Sequence, residues 1–273
     1  MASIQYRGAP VSYQITGAPS SLPTLVLLHG FLEDSRMWDG LIEEFEKLGN
    51  VVRIDLPGHG QSGNFGEIHS MEDMADAVHE VISAVGLEKP VVLGHSMGGY
   101  VALAYAELYE NIGGLGLFFS TPYADSGARK MMRDKAEALV LQNRNAFIRA
   151  AIPQLFSVEL RPGLREIISQ QIDYSLEMSV EGVVTAIRGM KSRVDRTRLL
   201  IDPPKFLQPQ KIGVFAGESD TVIPIASVRE WMDAPGVGYK YISSHGHMGH
   251  LSDSQNCTAA VIEWWRSFSQ INA

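Results

Sequence analysis

The sequence predicts an α/β chain: a doubly wound, mostly parallel sheet of eight strands, with an all-helical insertion after the sixth. Three observations carry this. Continuous apolar runs of strand length, such as Thr24-Leu25-Val26-Leu27-Leu28, are those of strands buried on both faces. They alternate with segments whose apolar residues recur at helical spacing, and that alternation implies a parallel sheet built by crossovers. Over residues 123–205 the alternation stops. No strand pattern is found there, and the apolar residues keep helical spacing. The chain therefore divides into a core, 1–122 and 206–273, and an inserted helical domain, 123–205.

Residues 3–7 and 11–15 alternate polar and apolar side chains around Gly8-Ala9-Pro10, the pattern of an antiparallel hairpin at a sheet edge. Strand 24–28 ends at His29-Gly30-Phe31-Leu32. A helix is expected over 38–48, from Leu41, Ile42, Phe45 and Leu48, and a strand over 51–55. The loop 56–63 is too rich in glycine and proline for regular structure. Ser70 is placed to cap a helix over 71–85, with Glu72 and Asp73 in its first turn and Gly86 at its end. An apolar run from Val91, read as a strand, and a helix-compatible run, 101–106, flank the segment that carries Ser96. A glycine-weakened strand, 113–120, precedes the insertion, whose helices are expected over 129–141, 145–151, 164–176 and 180–190. Strand 211–216, helix 225–232, strand 238–243 and a last helix to about 269 complete the core.

Composition bounds the function. A formal net charge of −8 argues against nucleic acid or an anionic membrane as partner, since both reward a basic face. The one cysteine, Cys257, sits in an amphipathic segment and reads as structural; no intramolecular disulfide can form. No apolar run approaches bilayer length and no signal-peptide pattern opens the chain, so a cytoplasmic location is the expectation.

The chemistry is concentrated in Gly94-His95-Ser96-Met97-Gly98, between an apolar run and a helix-compatible run. A serine at such a strand-to-helix apex has a strained backbone, and glycines at positions −2 and +2 remove side chains that would collide with the neighbouring chain. A serine hydroxyl needs a base for its proton and a carboxylate that orients that base. Histidines 245, 247 and 250 share the loop after the last strand. His29, His59 and His95 lie at other strand ends, and His69 and His79 read as solvated. For the acid, Asp220 and Asp125 both follow strands, and the chain order Ser, Asp, His suits this elbow. The histidines have no accompanying ligand set at metal-binding spacing, and the glycine runs lack both phosphate-binding fingerprints, so no metal and no cofactor are expected.

Five motifs in this order, the elbow together with His29-Gly30-Phe31, residues 55–62 (DLPGHGQS), residues 217–224 (GESDTVIP) and residues 246–251 (GHMGHL), give a chain that resembles the α/β-hydrolase fold group with a helical cap between strands six and seven. The resemblance implies Ser96 as nucleophile, Asp220 as acid and His247 as base. It also implies an oxyanion hole formed by the Phe31 and Met97 amides, with Gly30 and Trp38 bordering the substrate. Serine rather than aspartate at 96 argues against epoxide opening or halide displacement. Three functions compete. The first is a serine hydrolase of a small carboxylic ester, working through an acyl-enzyme on a small-molecule substrate. The second is a C–C bond hydrolase or a pyruvate-eliminating menaquinone-pathway synthase on the same triad, which an inward-facing cap arginine would favour. The third is a non-catalytic ligand receptor. Oligomeric state is open.

Overall fold

The computed structural model describes residues 1–270; the last three positions of the expected core lie outside the described residues. Eight strands form one sheet: β1 (Ala2–Tyr6), β2 (Ala9–Thr16), β3 (Leu25–Leu28), β4 (Val51–Ile54), β5 (Val91–His95), β6 (Gly114–Phe118), β7 (Ile212–Gly217) and β8 (Tyr239–Ser243). Their order is β1-β2-β4-β3-β5-β6-β7-β8. β1 and β2 pair antiparallel, as do β2 and β4, and every other pair is parallel. The expected hairpin forms with a tighter turn. Arg7 and Gly8 both take positive φ, 47° and 82°, so the strands resume at Ala9 and Pro10 joins β2 opposite Gln5. Two positive-φ residues give a turn whose twist matches that of the strands.

The helices are α1 (Asp39–Glu46), α2 (Met71–Val85), α3 (Met97–Leu108), α4 (Gly127–Ala151), α5 (Arg165–Leu176), α6 (Val180–Ser192), α7 (Arg198–Ile201), α8 (Ile225–Arg229), α9 (Gly249–Ser252) and α10 (Ser254–Arg266). α2 has the predicted ends: Ser70 Oγ accepts the Asp73 amide at 3.0 Å, and Gly86 closes it in the left-handed region at φ 72°. Two expected helices merge into α4, with the break reduced to a kink at Asn143. The last helix, α10, starts directly after Asp253, whose carboxylate accepts from Ser243 Oγ at 2.6 Å and not from a helix backbone amide; the short α9 precedes it.

Alternate residues of each parallel strand feed two cores. Leu25 and Leu27 join Trp38, Phe45, Trp264 and Trp265 on the face covered by α1 and α10. Val26 and Leu28 join α2 and α3 on the other. Between β6 and β7 the chain makes only helices, α4 to α7 with short 3₁₀ turns, around a third cluster that includes Ile148, Ile152, Phe156 and Val183. This cluster reaches the sheet through Leu32 and Met248, which bracket the strand ends. No described helix is long and apolar enough to cross a membrane.

Helix α6 approaches the core through glycines. A Cβ at Gly182 would strike the Gly58 carbonyl, and one at Gly189 the His69 carbonyl. That contact explains why His69 is fully buried rather than solvated: α6 covers it, and its ring meets Thr185 Oγ1 at 3.1 Å and accepts the Phe65 amide at 3.2 Å. His79 is half-buried, stacked on Tyr109 at 3.8 Å. Overpacking costs about 1–3 kcal/mol, so Gly189→Ala is expected to lower the thermal midpoint by several degrees. Gly40→Ala, in α1 with open space where its Cβ would stand, is expected to leave the midpoint unchanged or raise it slightly. Thermal unfolding of the two variants beside the parent checks the contrast; equal midpoints would remove the tight-contact argument.

Candidate active site

Ser96 lies between β5 and α3 with φ 48° and ψ −111°, a conformation that L-residues avoid. The glycines around it are required by close approach. A Cβ at Gly94 would strike the Gly98 backbone, and one at Gly98 would meet the Leu28 carbonyl. The neighbouring strand holds the strained unit. The Ser96 amide donates to the Phe118 carbonyl at 3.0 Å, and Ser120 Oγ donates to the Ser96 carbonyl at 2.7 Å.

The structure brings together Ser96, His247 and Asp220 from three strand ends. Asp220 Oδ2 lies 2.8 Å from His247 Nδ1, and His247 Nε2 lies 2.9 Å from Ser96 Oγ. A carboxylate only accepts, so the hydrogen sits on Nδ1, and Nε2 is left with the lone pair that accepts from the serine hydroxyl. Asp220 Oδ1 takes the amides of Val222 and Ile223, both at 2.8 Å, which fixes the carboxylate plane. His247 and Asp220 are buried and Ser96 is partly exposed. This is a hydroxyl–imidazole–carboxylate chain that can carry a proton from the hydroxyl to the imidazole.

The Phe31 and Met97 amides have no acceptor among the described residues. Met97 opens α3, where the first amides lack intrahelical partners and the helix dipole favours negative charge. Phe31 follows Gly30, and His29 braces that turn: its Nδ1–H donates to the Gly30 carbonyl at 2.8 Å while its Nε2 accepts the Leu56 amide at 2.9 Å.

Beneath the triad lies a group that sequence reasoning missed. Glu33 is 2% exposed, and its Oε2 accepts both the Gly30 amide at 2.8 Å and His95 Nδ1–H at 2.7 Å. His95 Nε2–H donates to the carbonyl of His247 at 3.1 Å. Burial opposes charge on both side chains, yet each one's charge and hydrogen bond prevail. Glu33 is held well below the usual carboxylate range and His95 is raised above the usual histidine value. For His250 burial prevails and lowers it to about 4, although its Nε2 is 3.4 Å from Glu33 Oε1. The available signal was an acidic pair, Glu33-Asp34, directly after Phe31-Leu32, with Glu33 three positions after Gly30. Among the described residues, Glu33, His95 and His250 are also the group closest to metal-ligand geometry, with donor atoms within 4.8 Å of one another. His95 is fully engaged at both nitrogens and Glu33 Oε2 accepts twice, whereas Glu33 Oε1 and both His250 nitrogens have no hydrogen-bond partner. A cation taking all three residues would have to break a His95 bond.

Two residues expected at the substrate are placed elsewhere. Gly30 makes room for its neighbours: a Cβ there would collide with Glu33 Oε2 and come within 2.7 Å of His95 Nδ1. Trp38 is fully buried on the α1–α10 face, its ring 5.7 Å from Phe118 and 6.4 Å from His250. A large apolar ring on the inward face of a helix packs before it lines anything. Asp125 does not approach a histidine; it is buried between Arg193 Nη1 at 2.7 Å and Arg133 Nε at 3.1 Å. His245 turns to Ser252 Oγ at 3.0 Å. Cys257 is buried in α10.

A cavity of about 120 Å³ opens on Ser96 and His247, walled by Phe31, Tyr100 and Met190 and roofed from α4 and the turn after it by Arg133, Ala151 and Leu155. It is smaller than the roughly 300–1,000 Å³ of pockets that enclose drug-sized ligands.

Comparison with known proteins agrees with this architecture. Residues 23–117 match the family model described as alpha/beta hydrolase fold. The chain is 34% identical over 97 residues to monoacylglycerol lipase abhd6-B of Xenopus laevis, covering 34% of this chain and 29% of that protein. It is 34% identical over 93 residues to 2-succinyl-6-hydroxy-2,4-cyclohexadiene-1-carboxylate synthase of Citrobacter koseri, covering 34% of this chain and 36% of that protein. The matches thus span about a third of the length of these curated relatives. Among solved structures, a thermophilic esterase from Thermogutta terrifontis with malate bound superposes with a TM-score of 0.85 at 28% identity, over 96% of this chain and 94% of that one. Sheet order, elbow and these likenesses agree: the chain has the α/β-hydrolase fold.

Proposed function

We propose that the protein is a serine hydrolase that cleaves a small carboxylic ester. The observation that carries this reading is the Ser96–His247–Asp220 chain at 2.9 and 2.8 Å on the floor of a small cavity. In the proposed reaction Ser96 Oγ attacks the ester carbonyl carbon as its proton passes to His247 Nε2, and Asp220 stabilises the resulting imidazolium. The carbonyl π electrons move to oxygen, and the oxyanion is met by the free amides of Phe31 and Met97. Collapse breaks the C–O bond, and His247 returns the proton to the departing alcohol. Water then attacks the acyl-serine with His247 again as base, releasing the acid and restoring Ser96. Segment 123–205 serves as the cap that selects the substrate. The cavity volume favours short acyl groups.

Arg133 supports a narrower form of the reading and keeps the second chemistry in view. It is a cap guanidinium on the wall of the Ser96 cavity. It shares the single carboxylate of Asp125 with Arg193, so the cluster keeps one positive charge uncompensated. A substrate carboxylate would complete it through a charge-assisted hydrogen bond. The Thermogutta esterase holds the dicarboxylate malate, and the Citrobacter relative is named for a carboxylate product. Both support an acidic substrate, for ester cleavage or for C–C chemistry on the same triad.

Three outcomes test the proposal. Ser96→Ala is expected to reduce cleavage of 4-nitrophenyl acetate by roughly 10³-fold or more while leaving the thermal midpoint near the parent's; an equally fast variant would refute the nucleophile. Asp220→Asn, which exchanges an acceptor-only group for an amide and disturbs the tautomer of His247, is expected to lower kcat by roughly 10²–10⁴-fold. Arg133→Gln is expected to cut the preference for a 4-nitrophenyl hemiester of a dicarboxylic acid over the neutral acetate by about 10-fold or more, the scale of one hydrogen bond to a charged group. A preference ratio that does not move would remove Arg133 from substrate binding.

A further inference from the structure

We propose that Glu33 and His95 form a buried positioning pair that sets the location of the base by gripping the main chain of His247. The inference rests on the reading of Ser96 and His247 as nucleophile and base. The count of hydrogens carries it. His95 Nδ1 faces a carboxylate oxygen at 2.7 Å and Nε2 faces a peptide carbonyl at 3.1 Å. Both partners only accept, so both ring nitrogens carry hydrogen, and His95 stands as an imidazolium against Glu33. Oε2 also accepts the Gly30 amide, which fits a carboxylate oxygen and not a hydroxyl.

Three loops therefore meet on one ion pair. Gly30 precedes the Phe31 amide, His95 precedes Ser96, and His247 is held by its own carbonyl. The grip is on the peptide and not the imidazole, so Nδ1 and Nε2 of His247 remain available to Asp220 and Ser96. The rings of His95 and His247 lie 5.1 Å apart between centroids. The Glu33 charge compensates the positive charge that would otherwise face the base across that gap. A neutral imidazole at 95 has one hydrogen and can satisfy the carboxylate or the carbonyl, not both. Oxyanion loop, nucleophile and base would then lose their common reference.

The two amide isosteres of histidine separate this from a merely structural role. In His95→Asn the amide nitrogen stands near the place of Nδ1 and keeps a partner for Glu33 while losing the His247 carbonyl. In His95→Gln it reaches the place of Nε2 and keeps the carbonyl while leaving Glu33 poorly paired. With 4-nitrophenyl acetate as substrate, and fluorophosphonate labelling of Ser96 as a second readout, His95→Asn is expected to melt within a few degrees of the parent. Its kcat should fall by roughly 10–100-fold with KM changed less than about 3-fold, the scale of a misplaced catalytic group. His95→Gln should melt lower and yet turn over and label several-fold faster than His95→Asn. If His95→Gln fails to fold, Glu33→Gln replaces it; its carbonyl oxygen still accepts the Gly30 amide but cannot hold an imidazolium, and the same loss in kcat at little-changed KM is expected. A folded His95→Asn with kcat within about 2-fold of the parent, a His95→Gln slower than His95→Asn, or losses confined to KM would overturn the pair's role. A parent that neither hydrolyses the ester nor labels at Ser96 would overturn the serine-hydrolase reading itself, an outcome distinct from an active parent with the wrong variant order.

Discussion

Ser96 is held in a backbone conformation that costs roughly 1–3 kcal/mol, and the architecture supplies what holds it there. β5 is paired on both sides, by β3 and β6. α3 behind it is buried almost all round, from Met97 to Ala106. Neither element can relax without opening the sheet's larger core. The glycines at 94 and 98 let strand and helix close to a distance that no side chain would permit. The result is a hydroxyl presented at the carboxyl end of a central strand and an amide, that of Met97, fixed beside it. Every other group at the site is placed relative to that rigid corner.

Buried charge near the site is arranged in two different ways. Glu33 is enclosed with one imidazolium, and Asp125 with two guanidiniums. Desolvating such ions costs several kcal/mol apiece, so neither cluster is an economical way to stabilise a fold. What they supply is direction. The Glu33 pair is matched in charge: Oε2 and both His95 nitrogens are engaged, and it points at main chain. The Asp125 cluster is open by one charge and borders the cavity. The matched cluster sits where the chemistry must stay fixed, and the unmatched one where a ligand can complete it.

The sheet was legible because parallel strands buried on both faces are written as unbroken apolar runs, and the elbow because its glycines are demanded by local geometry. Ser96, Asp220 and His247 each follow a strand, which is why a linear reading brings them to one edge. What escaped depends on contacts between distant segments. His69 looks like a surface residue until α6, more than a hundred positions later, covers it. Glu33 has no motif of its own; its meaning comes from His95, 62 positions away. Trp38 was misread because its burial is completed by His250 on α9, near the other end of the chain. The kink in α4 replaced an expected break because Asn143 bends the helix without ending it.

Cap and chemistry are also joined mechanically. Arg129 on α4 donates to the carbonyl of Val222, and Thr221 Oγ1 donates to the Gln154 carbonyl in the turn after α4 at 3.1 Å. Val222 is the residue whose amide pins Asp220 Oδ1. The helix that carries Arg133 to the cavity therefore grips the loop whose Asp220 orients His247. Packed interfaces do not deform continuously, so a shift of α4 to accommodate a longer acyl chain would be felt at Asp220 and through it at His247. Cavity size and the orientation of His247 are then coupled variables, and on the proposed reading a cap changed to admit a larger ester requires re-anchoring residues 221 and 222 as well as enlarging the pocket.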